Sequence, residues 1–100
     1  MSLQIQKTAG ESAALTLSGR LDTSTAPELE ATLEEVLGNA KKLTLNLEKL
    51  EYISSAGLRV ILKAQKAMNG RDGMTLTHVP EAVMEVFDIT GFSDFLTIEK

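Results

Sequence analysis

Leu3 and Ile5 alternate with Gln4 and Gln6, and Leu15 and Leu17 alternate with Thr16 and Ser18. A period of two marks half-buried strands. The intervening Ala9-Gly10-Glu11-Ser12 is turn chemistry, so the two strands are predicted to form a hairpin. Leu43, Leu45 and Leu47 alternate with Thr44, Asn46 and Glu48, a third strand with one apolar face. A strand buried on both faces would read as a continuous apolar run, so helices are expected on one side of the sheet only. Met74 and Leu76 alternate with Thr75 and Thr77 in a fourth strand, and Phe95 to Ile98 is a candidate last strand.

The helical period appears between these runs. After Gly19-Arg20-Leu21-Asp22, Thr25 with Pro27 and Glu28 gives the T-x-x-E pattern of a capping box. Leu29, Leu33, Val36 and Leu37 follow on one face, and Gly38 suits a left-handed helix end. A second helix is predicted after Ser55, with Leu58, Ile61, Leu62, Gln65 and Met68 inward and Arg59, Lys63 and Lys66 toward water. Asn69-Gly70 ends it, and Arg71-Asp72-Gly73 turns the chain. Pro80 fits the first turn of a third helix whose inner face carries Val83, Val86 and Phe87, and Thr90 to Asp94 reads as a turn or short helix.

The order is therefore β-β-α-β-α-β-α-β. Each β-α-β passage favours a right-handed crossover between parallel strands. The expectation is an α/β fold: a mixed sheet of four to five strands with helices packed on one face, in a single domain over residues 1–100.

Composition narrows the function more than the fold. The 100 residues carry a net charge of −4, which disfavours nucleic acid and anionic membranes as main partners. There is no cysteine, so no disulfide framework or thiolate metal site is available. The first residues lack the basic-then-apolar shape of a signal peptide, and no apolar run approaches the ~20 residues of a membrane span, so a cytoplasmic protein is expected. His78 is the single histidine, a poor metal site with no Cys or His partner nearby. Neither G-x-x-x-x-G-K-[ST], G-x-G-x-x-G nor G-x-S-x-G occurs. No cofactor, no metal and no enzymatic activity are expected; Ser55 as a nucleophile would have no nominated base. Met68, Met74 and Met84 read as core filler, and Glu34-Glu35 and Lys41-Lys42 as solvated charges.

The run Tyr52-Ile53-Ser54-Ser55-Ala56-Gly57-Leu58 stands where a strand hands over to a helix. In open α/β sheets function gathers in such loops. The plain reading of Ser55 is a helix N-cap, its hydroxyl accepting from the amide of Gly57 or Leu58. The sharper reading adds a phosphate to the same serine. A helix N-terminus carries unpaired N–H donors and about half a positive charge, so it tolerates that anion. Surface charge would change while the fold would not.

Gly19-Arg20-Leu21-Asp22, Tyr52-Ile53-Ser54-Ser55-Ala56-Gly57-Leu58-Arg59-Val60-Ile61-Leu62 and Ile89-Thr90-Gly91-Phe92 together resemble the STAS domain family of anti-sigma factor antagonists. The resemblance covers essentially the whole chain. It implies a bacterial regulator that captures a serine-kinase-type anti-sigma factor and frees its sigma factor. The kinase then phosphorylates the antagonist serine, and a serine phosphatase resets it. By position, Ser55 matches the phosphorylated serine, with Ser54 as the second candidate acceptor. Asp22 matches the acidic residue after the second strand, and Thr23 and Ser24 share its loop. Ser54, Ala56, Gly57, Leu58 and Arg59 complete the implied partner-binding surface. Two positions depart from the family pattern: Ser54 stands where an aspartate is usual and Ala56 where a second serine is usual. The alternative role that the resemblance offers is an accessory STAS subunit of a lipid or ion transporter.

Overall fold

The computed structural model describes residues 3–99. Its elements are β1 (Leu3–Thr8), β2 (Ser12–Leu21), α1 (Ala26–Leu37), β3 (Lys42–Ile53), α2 (Ser55–Met68), β4 (Met74–Thr77) and α3 (Glu81–Thr90), followed by a short 3-10 helix, Phe92–Asp94. The sheet order is β1-β2-β3-β4. The hairpin makes β1 antiparallel to β2, while the helical crossovers make β2, β3 and β4 parallel.

Register shows why one face is buried. Ala13, Leu43 and Met74 lie side by side across the three parallel strands, as do Leu15, Leu45 and Leu76. All six are buried and join one core with Leu29, Leu33 and Val36 of α1, Leu58, Ile61 and Met68 of α2, and Val83 and Phe87 of α3. Their neighbours Ala14, Thr44 and Thr75, and Thr16, Asn46 and Thr77, point to the opposite face and stay half-buried. The helices therefore cover a single face, as the alternation predicts. Cutting back one of the fully buried leucines to alanine would cost about 2–5 kcal/mol.

β3 runs further than its alternation suggests. After Leu47 the buried positions are Leu50 and Ile53, a spacing of three rather than two. The register slips between Thr16 and Ser18 and again between Gly19 and Arg20, with one additional residue on β3 each time. These bulges rephase the strand so that Leu50 and Ile53 still face the core. Gly19 sits beside the second slip with φ of 100°, a conformation that glycine adopts without penalty. The two strands thus end together, with Leu21 beside Ile53.

Several local expectations are corrected. Thr25 occupies the N-cap position of α1 but makes no side-chain cap. Its buried hydroxyl instead donates to the carbonyl of Arg20 and accepts from the amide of Asp22, both at 2.8 Å. Closing that turn uses the group a capping box would need. Gly38 is right-handed, with φ of −61°. The carbonyls of Leu37, the last residue of α1, and of Ala40 beyond it accept from the Arg71 guanidinium, so no left-handed turn is required there. Pro80 precedes α3 in an extended conformation rather than lying in its first turn; Val86, half-buried, does pack against the core. Phe95 to Ile98 forms no full strand; a single parallel bridge pairs Ile98 with Leu76. The buried Gln65 of α2 holds this tail by accepting from the amide of Thr97 at 3.3 Å. His78 follows the end of β4 and is exposed, with φ of 53°.

Candidate functional site

The ends of β2 and β3 are fastened to each other. The amide of Ser54 donates to the carbonyl of Leu21 at 2.9 Å, extending the strand pairing by one bond. This holds Ser54 in an extended conformation, φ −99° and ψ 174°. An N-cap needs that geometry. Ser54 Oγ accepts from the amide of Gly57 at 3.3 Å, and its carbonyl accepts from the amide of Leu58 at 2.9 Å.

Ser54 is therefore the cap of α2, which corrects the expectation for Ser55. Ser55 is the first helical residue. It is exposed, and its hydroxyl makes no hydrogen bond among the described residues. The two serines divide the work: one closes the helix end and the other presents a free hydroxyl.

Gly57 sets how closely α2 approaches the strands. A Cβ there would lie 2.6 Å from Cγ of Leu21 and 3.2 Å from Cγ1 of Ile53. Only a residue without a side chain lets the first turn rest on both strand ends. Gly57 and Leu58 are buried, so they shape the site from beneath and do not belong to its exposed surface. Ala56 is half-buried and Arg59 is exposed.

The loop after β2 forms the other wall. Asp22 Oδ1 accepts from the hydroxyl of Ser24 at 2.7 Å, the amide of Ser24 at 3.0 Å and the amide of Thr25 at 3.1 Å. Asp22 thereby caps the approach to α1 in the manner of an Asx-turn. The Ser24 hydroxyl, with the Thr25 and Ser24 amides and the Thr25 hydroxyl, holds the Asp22 carboxyl below its ordinary value, against a smaller opposing effect of burial. Thr23 and Ser24 are exposed. Because Leu21 and Ser54 are directly bonded, Asp22 and Ser55 flank that bond on adjacent strand ends.

One pair was not foreseen. Arg20 and Tyr52 are register partners, and the guanidinium lies 4.3 Å from the ring centroid. Arg20 Nε is also 3.8 Å from Oδ2 of Asp22. The signal was present in the sequence: each residue immediately precedes the apolar residue that ends its strand, Leu21 or Ile53. A bulge between the two strands hid their alignment.

Among the described residues no group of three or more His, Cys, Asp or Glu is placed to hold a metal ion. His78 follows Thr77, which pairs with Asn46, seven residues along β3 before Ile53. At ~3.3 Å per residue that is about 20 Å from the serines. No helix among the described residues is long and apolar enough to cross a membrane.

Comparison with known proteins gives this geometry a family. The family model described as Mlab, STAS domain, matches residues 5–98. The putative anti-sigma factor antagonist BtrV of Bordetella bronchiseptica is 40% identical over 78 residues, covering 76% of this chain and 67% of that protein. The crystal structure of an anti-sigma factor antagonist from Mycobacterium paratuberculosis superposes with a TM-score of 0.87 at 19% identity, covering 96% of this chain and 84% of that one. The Bacillus cell fate determinant SpoIIAA in its phosphorylated form superposes with a TM-score of 0.72 at 19% identity, covering 98% and 91%. The mixed four-stranded sheet with three helices is the fold of these structures, and the chain belongs to the STAS domain family.

Proposed function

We propose that this protein is an anti-sigma factor antagonist controlled by phosphorylation of Ser55. In its unmodified form it binds a serine-kinase-type anti-sigma factor and so frees the sigma factor. The kinase transfers the γ-phosphoryl group of ATP to Ser55 Oγ, whose proton is released, and ADP leaves. The modified protein separates from the kinase until a serine phosphatase hydrolyses the phosphate. The protein acts as substrate and binding module, not as an enzyme, and works in the cytoplasm.

The observation that carries this reading is the division of labour between the serines. Ser55 is exposed at the first position of α2 with an uncommitted hydroxyl, while Ser54 is half-buried and occupied as the cap. A phosphate on Ser55 would bring about −1.5 to −2 charges to a helix end that carries roughly half a positive charge. The first turn of α2 holds no acidic residue to oppose it. The relative named as an anti-sigma factor antagonist and the phosphorylated state recorded for SpoIIAA support the same reading. The docking surface comprises Asp22, Thr23, Ser24, Ala56 and Arg59, with Gly57 and Leu58 supporting it from below.

The test is to incubate the protein with the kinase-type anti-sigma factors of its host and ATP, and to map phosphate by mass spectrometry. Modification at Ser55, abolished in Ser55→Ala, is expected. Modification at Ser54, or none by any of these kinases, contradicts the reading and leaves the transporter-subunit role to be examined by co-purification.

A further inference from the structure

Ser55 and Arg59 stand four residues apart on the exposed side of α2. At that spacing two helical side chains are neighbours, with Cβ atoms roughly 5–6 Å apart. An anion at the earlier position and a cation at the later one is the favourable orientation, because it also matches the helix dipole.

Arg59 is free to take such a partner. Among the described residues Lys7, Arg20, Lys41 and Lys63 each have a carboxylate within ion-pair distance, and Arg59 has none. Its own helix supplies none either: positions 55, 56, 62 and 63, one turn to either side, hold Ser, Ala, Leu and Lys. Arg20 is differently placed, stacked on Tyr52 and turned toward Asp22. Like Lys42, Lys49, Lys66 and Arg71, Arg59 has no carboxylate partner among the described residues, and what sets it apart is its place one turn from the free serine.

We propose that Arg59 is the internal partner of a phosphate on Ser55, closing an intrahelical phosphoserine–arginine pair. The inference rests on the reading of Ser55 given above. A guanidinium presents two parallel N–H groups to phosphate oxygens, and such charge-assisted bonds are stronger than neutral ones. Phosphorylation then alters the docking face twice: it adds the phosphate charge and withdraws a cation that was open to a partner's carboxylate. Arg59 is thus a positioning residue of the switch. It fixes the phosphate over the start of α2, where the Ser54 cap already occupies the amide of Gly57.

The experiment installs phosphoserine at position 55 by genetic encoding, with no kinase involved. The second ionisation of the phosphate is followed by ³¹P NMR in the otherwise native chain and in Arg59→Gln, Arg59→Lys and Arg20→Gln. An adjacent cation favours the dianion, so Arg59→Gln is expected to raise the phosphate pKa by ~0.5 units or more. Arg59→Lys should recover part of that difference, and Arg20→Gln should leave the native titration unchanged. The ¹⁵Nε resonance of Arg59 should move with the phosphate's ionisation. Identical titrations in the native and Arg59→Gln proteins, or a shift produced by Arg20→Gln instead, would overturn the proposal. Since the phosphate is supplied without a kinase, that outcome is distinct from a failure of any kinase to modify Ser55.

Discussion

A Cβ built on Gly57 would fall 2.6 Å from Cγ of the fully buried Leu21. The first turn of α2 and the last residue of β2 are therefore in direct contact, and the glycine is what permits it. Overpacking of this kind costs ~1–3 kcal/mol, against a gain of ~1 kcal/mol or less from replacing a helical glycine by alanine. Gly57→Ala is expected to lower stability by about 1 kcal/mol in denaturant unfolding. A variant as stable as the native chain would show that the contact relaxes at no cost.

The assignment of the cap separates two adjacent serines. Ser54→Ala removes the acceptor for the amide of Gly57 and should cost ~1 kcal/mol. Ser55→Ala removes a hydroxyl without a partner and should change stability by less than ~0.5 kcal/mol. Ser54→Asp should keep the cap, since aspartate serves that position well. Urea unfolding of the three variants checks the order; a larger loss in Ser55→Ala than in Ser54→Ala would reverse the assignment.

Asp22 predicts a pH dependence with a definite sign. Its folded-state pKa lies below the ordinary 3.8, chiefly because the Ser24 hydroxyl bonds the carboxylate. A depressed pKa contributes stability that is present above the unfolded value and is lost as pH falls through the folded value. Asp22→Asn should be less stable than the native chain at neutral pH. The gap should narrow once the pH falls below about 4. Thermal unfolding across pH 7 to 2 checks this, and a constant gap would contradict it.

Much of the fold was legible because each sheet-forming run shows one apolar face. Leu15, Leu45 and Leu76 announce both the strands and the single covered side, and register confirms that they are neighbours. The far half of β3 was not legible. Two bulges change its buried spacing from two to three, so Leu50 and Ile53 do not continue the alternation of Leu43 to Leu47. The same bulges concealed the stacking of Arg20 on Tyr52. The strand-to-helix passage that carries Ser54 and Ser55 was readable. Which serine caps was not, because Ser54 and Ser55 are chemically equal as caps. The choice follows from the bond between the Ser54 amide and the Leu21 carbonyl, a long-range contact without a local signature. Thr25 failed as a capping box for a related reason, its hydroxyl being taken by the turn after β2.

The proposed switch is tested by titration calorimetry of the host's kinase-type anti-sigma factor against two forms of this protein, one with serine and one with phosphoserine at position 55. Tight binding of the unmodified form and at least ~10-fold weaker binding of the phosphorylated form are expected, a difference of about 1.4 kcal/mol or more. Equal affinity for the two forms would rule out phosphorylation of Ser55 as the control of binding.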